Sequence, residues 1–275
     1  ELSALNISAF APSAEAVGIT VSKAVAKKFM HKIRIQTPKF SVAEKPQMAL
    51  DYLKTAQFPQ AIKPDSHSFQ ECTQFAETYS QAQMLVNNFF ASGNKKILIE
   101  DYIEGKNFSV WALTDGYSAK IIGTSAKYQN DIAYFEPNFI TAELKEKIQN
   151  EVILPTISAL NSEDDEYVGI LGFDFVLSRG EIFLLGYNSF FDDINVNFFT
   201  EGFNLDWAEV FDSCIVGDVF LKYEFIPKAE YMLSLRQNNE IVFISAKTKT
   251  NLKRYLKELE INTEEYEEAK KVWKY

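Results

Sequence analysis

The chain has 275 residues, 47% of them hydrophobic, and a net charge of -10. That is enough to bury one large core, or two subdomains plus an extension, and the acidic balance argues against a nucleic-acid binder, which needs a basic face for phosphates. It does not exclude ATP, because a few lysines inside a cleft dominate the local field.

The first predicted element is an amphipathic helix over Ser22–Ile33, with Ser22 as N-cap and Val25, Phe29 and Ile33 at helical spacing. Thr37-Pro38 stops it, and a short strand starts at Lys39–Val42. A second helix is predicted at Pro46–Lys54 and a strand at Phe58–Lys63, broken by Pro64-Asp65-Ser66. From Cys72 to Phe90 the residues Phe75, Tyr79, Ala82, Val86 and Phe89 mark one helix face. Lys96–Tyr102 reads as a strand that turns at Glu104-Gly105. Asn107–Thr114 and Ala119–Thr124 form a hairpin around Asp115-Gly116.

Thr141–Leu160 reads as a helix that Pro155 kinks or restarts. Val168–Leu177 and Ile182–Tyr187 are strands joined by Ser178-Arg179-Gly180, and Trp207–Phe220 is a helix. A hairpin is expected from Tyr231–Leu235 and Glu240–Ser245 around Gln237-Asn238-Asn239, then a charged helix over Thr250–Trp273. Hairpins rather than regular βαβ alternation argue for an α+β fold. There is no bilayer-length apolar run and no signal-peptide pattern. Cys72 and Cys214 form no C-x-x-C pair, so neither a disulfide framework nor a zinc site is expected, and a cytoplasmic location is the simplest reading.

The order of short motifs resembles the glycinamide ribonucleotide synthetase family, the phosphoribosylamine–glycine ligases of purine biosynthesis. Phe10–Ser13, Ser22-Lys23 and Lys28-Phe29-Met30 resemble the entry to that family's ATP-grasp region. Ile62-Lys63 resembles the strand that ends in an ATP-contacting lysine, Ile99–Ser109 the linker and turn beside the adenine, and Ile153–Leu160, Tyr167–Leu171 and Tyr187–Asp193 the distal half. The resemblance implies an ATP-grasp fold of two α+β subdomains clamping a nucleotide cleft, with a short C-terminal extension. The corresponding segments are 22–92, 93–220 and 221–275. Residues 1–21, which begin with Glu rather than Met, are read as the remnant of an N-terminal domain or linker.

The same resemblance assigns Lys23 and Lys63 to ATP phosphates, and Glu100, Asp101, Tyr102 and Ile103 to the adenine edge, with magnesium on Asp174 and Asn188. A lysine is a suitable point charge for phosphate, and magnesium prefers oxygen ligands. Several parts of the family's chemistry are missing. The loop Pro64–Glu71 has no glycine to wrap phosphates, and Asp65 and Glu71 bring negative charge there. Its His67 is read as a bystander rather than a base. In the family's Glu-x-Asn triplet the carboxylate position is Gly186, and Phe190 stands where an arginine is expected. The glutamate after the turn glycine is replaced too, since Lys106 and Asn107 follow Gly105. No acceptor pocket is legible in Ile132–Pro137.

Three functions follow as expectations. The favoured one is a relative that binds ATP in the cleft but has weakened or lost ligase activity, with a protein partner possible. The second is an active ATP-dependent carboxylate–amine ligase with an altered acceptor. The third is an interaction domain without nucleotide.

Overall fold

The computed structural model describes residues 8–65, 73–128, 132–162, 165–189, 195–237 and 240–258. The loop carrying His67 and Glu71, Cys72, Phe190, the turn at Asn238-Asn239 and the tail helix beyond Glu258 lie outside the described residues. Two compact units emerge: Ala14–Lys106 with Phe173–Asn188, and residues 1–13, 107–172 and 189–275.

The first unit opens with α1 (Gly18–Val21) and α2 (Lys23–Lys32). Ser22 between them is extended, and its hydroxyl accepts the Val25 N–H, the expected cap. The buried face of α2 is Ala24, Ala26, Lys27, Phe29 and Met30, whereas Val25 is exposed. The predicted apolar stripe is therefore rotated: the helix turns a lysine inward and leaves a valine in solvent. After α2 come β1 (Phe40–Ala43), α3 (Pro46–Leu53), β2 (Gln60–Pro64), β3 (Gln74–Ala76), α4 (Tyr79–Ala91) and β4 (Ile97–Asp101). Proline opens α3, where its missing N–H costs nothing. Thr78 caps α4 by accepting the Gln81 N–H. Strand β3 takes the start of the region predicted as one long helix, and its Phe75 is exposed rather than on a buried helix face.

The strands form an antiparallel sheet ordered β1-β4-β2-β3. Ala49 and Leu53 of α3 and Ala82, Val86 and Phe89 of α4 cluster with Ile62, Ile97 and Ile99. Since β4 is hydrogen-bonded on both edges, its residues are almost entirely buried.

The chain continues into β5 (Lys106–Asp115), β6 (Ala119–Tyr128) and β7 (Ile132–Phe135). In the β5–β6 turn the Asp115 carboxylate accepts the N–H groups of Tyr117 and Ser118, the side-chain turn typical of Asp. β7 occupies the stretch where no acceptor pocket was legible. The predicted Thr141–Leu160 helix is α5 (Ala142–Ile148), a π-helical turn (Gln149–Ile153) and α6 (Leu154–Asn161). Pro155 sits in the first turn of α6, so the irregular turn takes up the break before it.

Strand β8 (Val168–Ser178) runs through both units and is joined to β9 (Glu181–Asn188) by a two-residue turn. Arg179 and Gly180 both have positive φ there, as a type I′ hairpin requires. α7 (Val196–Thr200), α8 (Trp207–Val216), α9 (Val219–Lys222), β10 (Tyr231–Gln237), β11 (Glu240–Ala246) and α10 (Lys249–Glu258) complete the chain. Gly217, in the left-handed region, ends α8 sooner than the predicted Phe220. The second sheet is ordered β11-β10-β7-β6-β5-β8-β9. Aromatic residues fill one core of the second unit, with Trp111, Phe135, Phe198, Phe199 and Phe203 in mutual contact. Leu252 and Leu256 of α10 pack with Tyr134, Leu233 and Ile244 in another. Among the described residues no helix is long and apolar enough to cross a membrane.

Two glycines of the first unit face opposite constraints. A Cβ on Gly105 would lie 2.3 Å from the Leu177 carbonyl oxygen, whereas one on Gly186 would meet nothing within 4 Å among the described residues. Gly105→Ala should therefore lower the unfolding free energy by about 2–3 kcal/mol in urea titration, the range for forced overpacking. Gly186→Ala should leave it within about 0.5 kcal/mol of wild type.

Candidate nucleotide site

The interior of the first unit holds a charged cluster. Glu100, at the penultimate position of β4, is 1% exposed, and so is Lys27 of α2. The Lys27 ammonium is 2.5 Å from Glu100 Oε1, and Lys63 of β2 pairs with the other carboxylate oxygen. Lys27 also donates to Thr37 Oγ1 at 2.5 Å and to the Leu184 carbonyl at 3.3 Å, while Thr37 donates to that carbonyl at 2.7 Å. The Leu184 N–H returns a bond to the Gln36 carbonyl at 2.9 Å. Helix α2, strands β2 and β4 and hairpin strand β9 thus converge on one carboxylate.

Burial pushes the Lys27 ammonium down to about 8, against the opposing pull of Glu100. Burial alone would raise the Glu100 carboxyl, but Lys63 and Lys27 outweigh it and hold it below the usual carboxylate range. A buried charge with one partner removed is costly, so the cluster stands or falls as a set.

Of the two expected phosphate lysines, Lys63 belongs to this cluster and keeps a partly exposed side chain. Lys23 opens α2 and is half-buried. The two segments are tied together by Asp65, whose carboxylate accepts the Ser22 hydroxyl and the Ala24 N–H, both at 2.9 Å. The negative charge expected to oppose phosphate is thus engaged with the positive end of α2.

The expected adenine edge divides in two. Glu100 and Asp101 sit inside the sheet: Glu100 is paired with Phe40 and Ala61, and Asp101 donates its N–H to Lys39 and accepts the Gln60 amide at 2.7 Å. Tyr102 gives its N–H to the Pro59 carbonyl, and from there the backbone leaves the sheet. Tyr102 and Ile103 border a cleft of about 830 Å³, with Leu177 and Phe183 across it.

Asp174 and Asn188 are brought together, on β8 and β9, and the Asn188 amide donates to Asp174 Oδ2 at 2.7 Å. Gly186, on the same face of β9 as Asn188, adds no ligand and leaves open space. Among the described residues no three His, Cys, Asp or Glu gather as a metal cluster. One carboxylate and one amide oxygen fit a magnesium ion held weakly, with water completing its shell.

The family profile described as "Phosphoribosylglycinamide synthetase, ATP-grasp (A) domain" matches residues 21–196. The chain belongs to this ATP-grasp family. A phosphoribosylamine–glycine ligase of Fusobacterium nucleatum is 27% identical over 88% of this chain and 67% of its own length. One of Clostridium acetobutylicum is 28% identical over 65% of this chain and 47% of its own. The chain thus spans about half to two thirds of the length of these relatives. The crystal structure of a phosphoribosylamine–glycine ligase from Thermotoga maritima superposes with a TM-score of 0.77 at 18% identity, covering 91% of this chain and 77% of that one. The biotin carboxylase domain of a Hydrogenobacter thermophilus 2-oxoglutarate carboxylase, solved with Mg-ADP and bicarbonate, gives 0.70 at 16% identity over 86% of this chain and 54% of its own. The expected α+β ATP-grasp fold is therefore the fold of this family member.

Sequence reasoning missed Lys27 as a site residue. Two signals were available: a lysine flanked by Ala24, Ala26 and Met30, and an acid directly closing the apolar run Ile97-Leu98-Ile99. Glu100→Gln should lower stability by about 3–5 kcal/mol at pH 7, because two ammonium groups lose their anion. The deficit should narrow with acid. The depressed carboxyl stabilises the fold above its ordinary value of 4.5 and loses that contribution as pH falls through its folded value. Urea titrations of both proteins at pH 7 and pH 3.5 check this; an unchanged deficit at the lower pH would contradict the assignment.

Proposed function

We propose that this chain is a nucleotide-binding ATP-grasp domain of the phosphoribosylamine–glycine ligase type whose ligase chemistry is weakened or lost. The observation that carries the reading is the space at Gly186: the β9 face holding Asn188 is open where a ligase of this family needs a carboxylate. Lys63, fixed by Glu100 yet partly exposed, supplies a positioned cation for a phosphate, and Lys23 opens α2 next to the Ser22 that bonds Asp65. The apolar side chains of Ile103, Leu177 and Phe183 offer walls for a flat base, and the backbone leaving the sheet after Tyr102 offers polar groups to its edge.

Magnesium, when bound, would neutralise phosphate charge, and Asp174 and Asn188 are the residues that would hold it. Binding and positioning need only the lysines and the cleft. Phosphoryl transfer needs charge stabilisation in a fixed geometry, which one carboxylate already bonded to an amide supplies poorly. A second reading, an active carboxylate–amine ligase with an altered acceptor, rests on the retention of Asp174 and Asn188 side by side.

The thermal midpoint with and without Mg-ATP tests the first part. Ligand at about 100 times its dissociation constant stabilises by roughly 2.7 kcal/mol, which for a chain of this size is a rise on the order of 5–10 °C. Lys63→Ala should remove the rise. No rise in the wild type at millimolar Mg-ATP would refute nucleotide binding, and a full rise in the variant would refute the role of Lys63.

Gly186→Glu tests the second part. Restoring a carboxylate beside Asn188 should tighten magnesium-dependent ATP binding by about tenfold in calorimetric titration, with no change in magnesium-free binding. Turnover of ATP by the wild type with a carboxylate acceptor, undiminished relative to Gly186→Glu, would favour the active ligase instead.

A further inference from the structure

Between Glu15 and Glu44 the sequence has no Asp or Glu, yet Lys23, Lys27, Lys28, Lys32, Arg34 and Lys39 all fall there, in a chain of net charge -10. Lys27 is turned inward. At the C-terminal end of α2, on the other hand, a groove of about 480 Å³ is bordered by His31, Arg34 and Lys39, with Gln36 and Thr37 between them. The three basic side chains are exposed, and no acid among the described residues pairs with them.

The walls of this groove are fixed. Thr37 is pinned to the Leu184 carbonyl, and the Lys39 carbonyl accepts the Asp101 N–H at 2.9 Å. Arg34 closes α2 in the left-handed region, with φ 60. Its N–H bonds to the His31 carbonyl, and the Ile35 N–H to the Met30 carbonyl, the paired bonds of a Schellman cap. That position favours glycine, and neither bond uses the arginine side chain. A large cation held where the backbone prefers glycine points to work done by its guanidinium.

We propose that this groove binds a compact phosphate-bearing small molecule. Its volume is that of a small-ligand pocket. A guanidinium presents a fork of donors that matches phosphate oxygens, and a lysine and a histidine on the same rim add further donors. A small polyanion meets these cations at short range. An extended acidic protein surface or a nucleic acid would also meet the repulsion of the acidic remainder of the chain beyond a Debye length of about 8 Å.

The test is calorimetric titration of the whole chain with inorganic pyrophosphate, without magnesium or nucleotide. The variants are Arg34→Gly with Lys39→Gln, and as control Lys253→Gln with Lys257→Gln, which removes exposed charge from α10. Saturable binding should weaken at least about tenfold in the groove variant, as expected for lost charge-assisted bonds, and should persist in the α10 control. Arg34→Gly alone should raise the thermal midpoint by about 2 °C while weakening binding, so loss of affinity cannot be laid to unfolding. Equal affinity in the groove variant, an equal loss in the α10 control, or no saturable binding at millimolar pyrophosphate would each overturn the proposal. So would citrate or a poly-glutamate peptide binding more tightly than pyrophosphate.

Discussion

One carboxylate, that of Glu100, holds two ammonium groups inside an otherwise apolar unit. The arrangement is tolerable because each charge has an opposite partner: Lys27 has Glu100, with Thr37 and the Leu184 carbonyl beside it, and Lys63 has the second carboxylate oxygen. Its structural effect exceeds its size. The register of β4 against β1 and β2, the rotation of α2 about its axis and the approach of β9 to the Gln36–Thr37 segment all meet at this charge. An apolar substitute could fill the volume but could not specify which residue faces which.

Much of the architecture was legible in the chain because it rests on local rules. Ser22 caps α2, a proline opens α3, and the Arg179-Gly180 turn sets the β8–β9 hairpin. What escaped was decided by tertiary contacts. Periodicity assigned Val25 to the inner face of α2, since an apolar residue is the ordinary occupant; the acid on β4 reversed that choice in favour of Lys27. Strands β3 and β7 are three and four residues long and form only because β2, and β6 with β10, offer free edges. The break near Pro155 was foreseen, but its form, a widened turn before the proline, was not.

The candidate site was legible in parts. Motif order names Lys63, Tyr102, Ile103, Asp174 and Asn188; in the structure Lys63 pairs with Glu100, Tyr102 and Ile103 border the cleft, and Asn188 bonds Asp174. Glu100 was expected at the adenine edge through its backbone, yet that backbone is committed to two neighbouring strands and its side chain to the lysines. Asp65 was read as an obstacle to phosphate, whereas it anchors the start of α2. In both cases the residue type was informative and its partner was not, because the partners lie far away in sequence, on other elements.

The empty space beside Gly186 bears on the evolutionary history of the chain. When a functional side chain is lost, neighbouring residues commonly drift into the vacancy, and each such change makes return harder. At Gly186 no such filling is present among the described residues, the backbone has an ordinary negative φ, and Asn188 still stands next to Asp174. A single substitution at Gly186 could therefore introduce a carboxylate beside Asn188 without first displacing a described neighbour. In evolutionary terms, position 186 is one at which a charged side chain can be gained in a single step for as long as its described neighbours stay as they are.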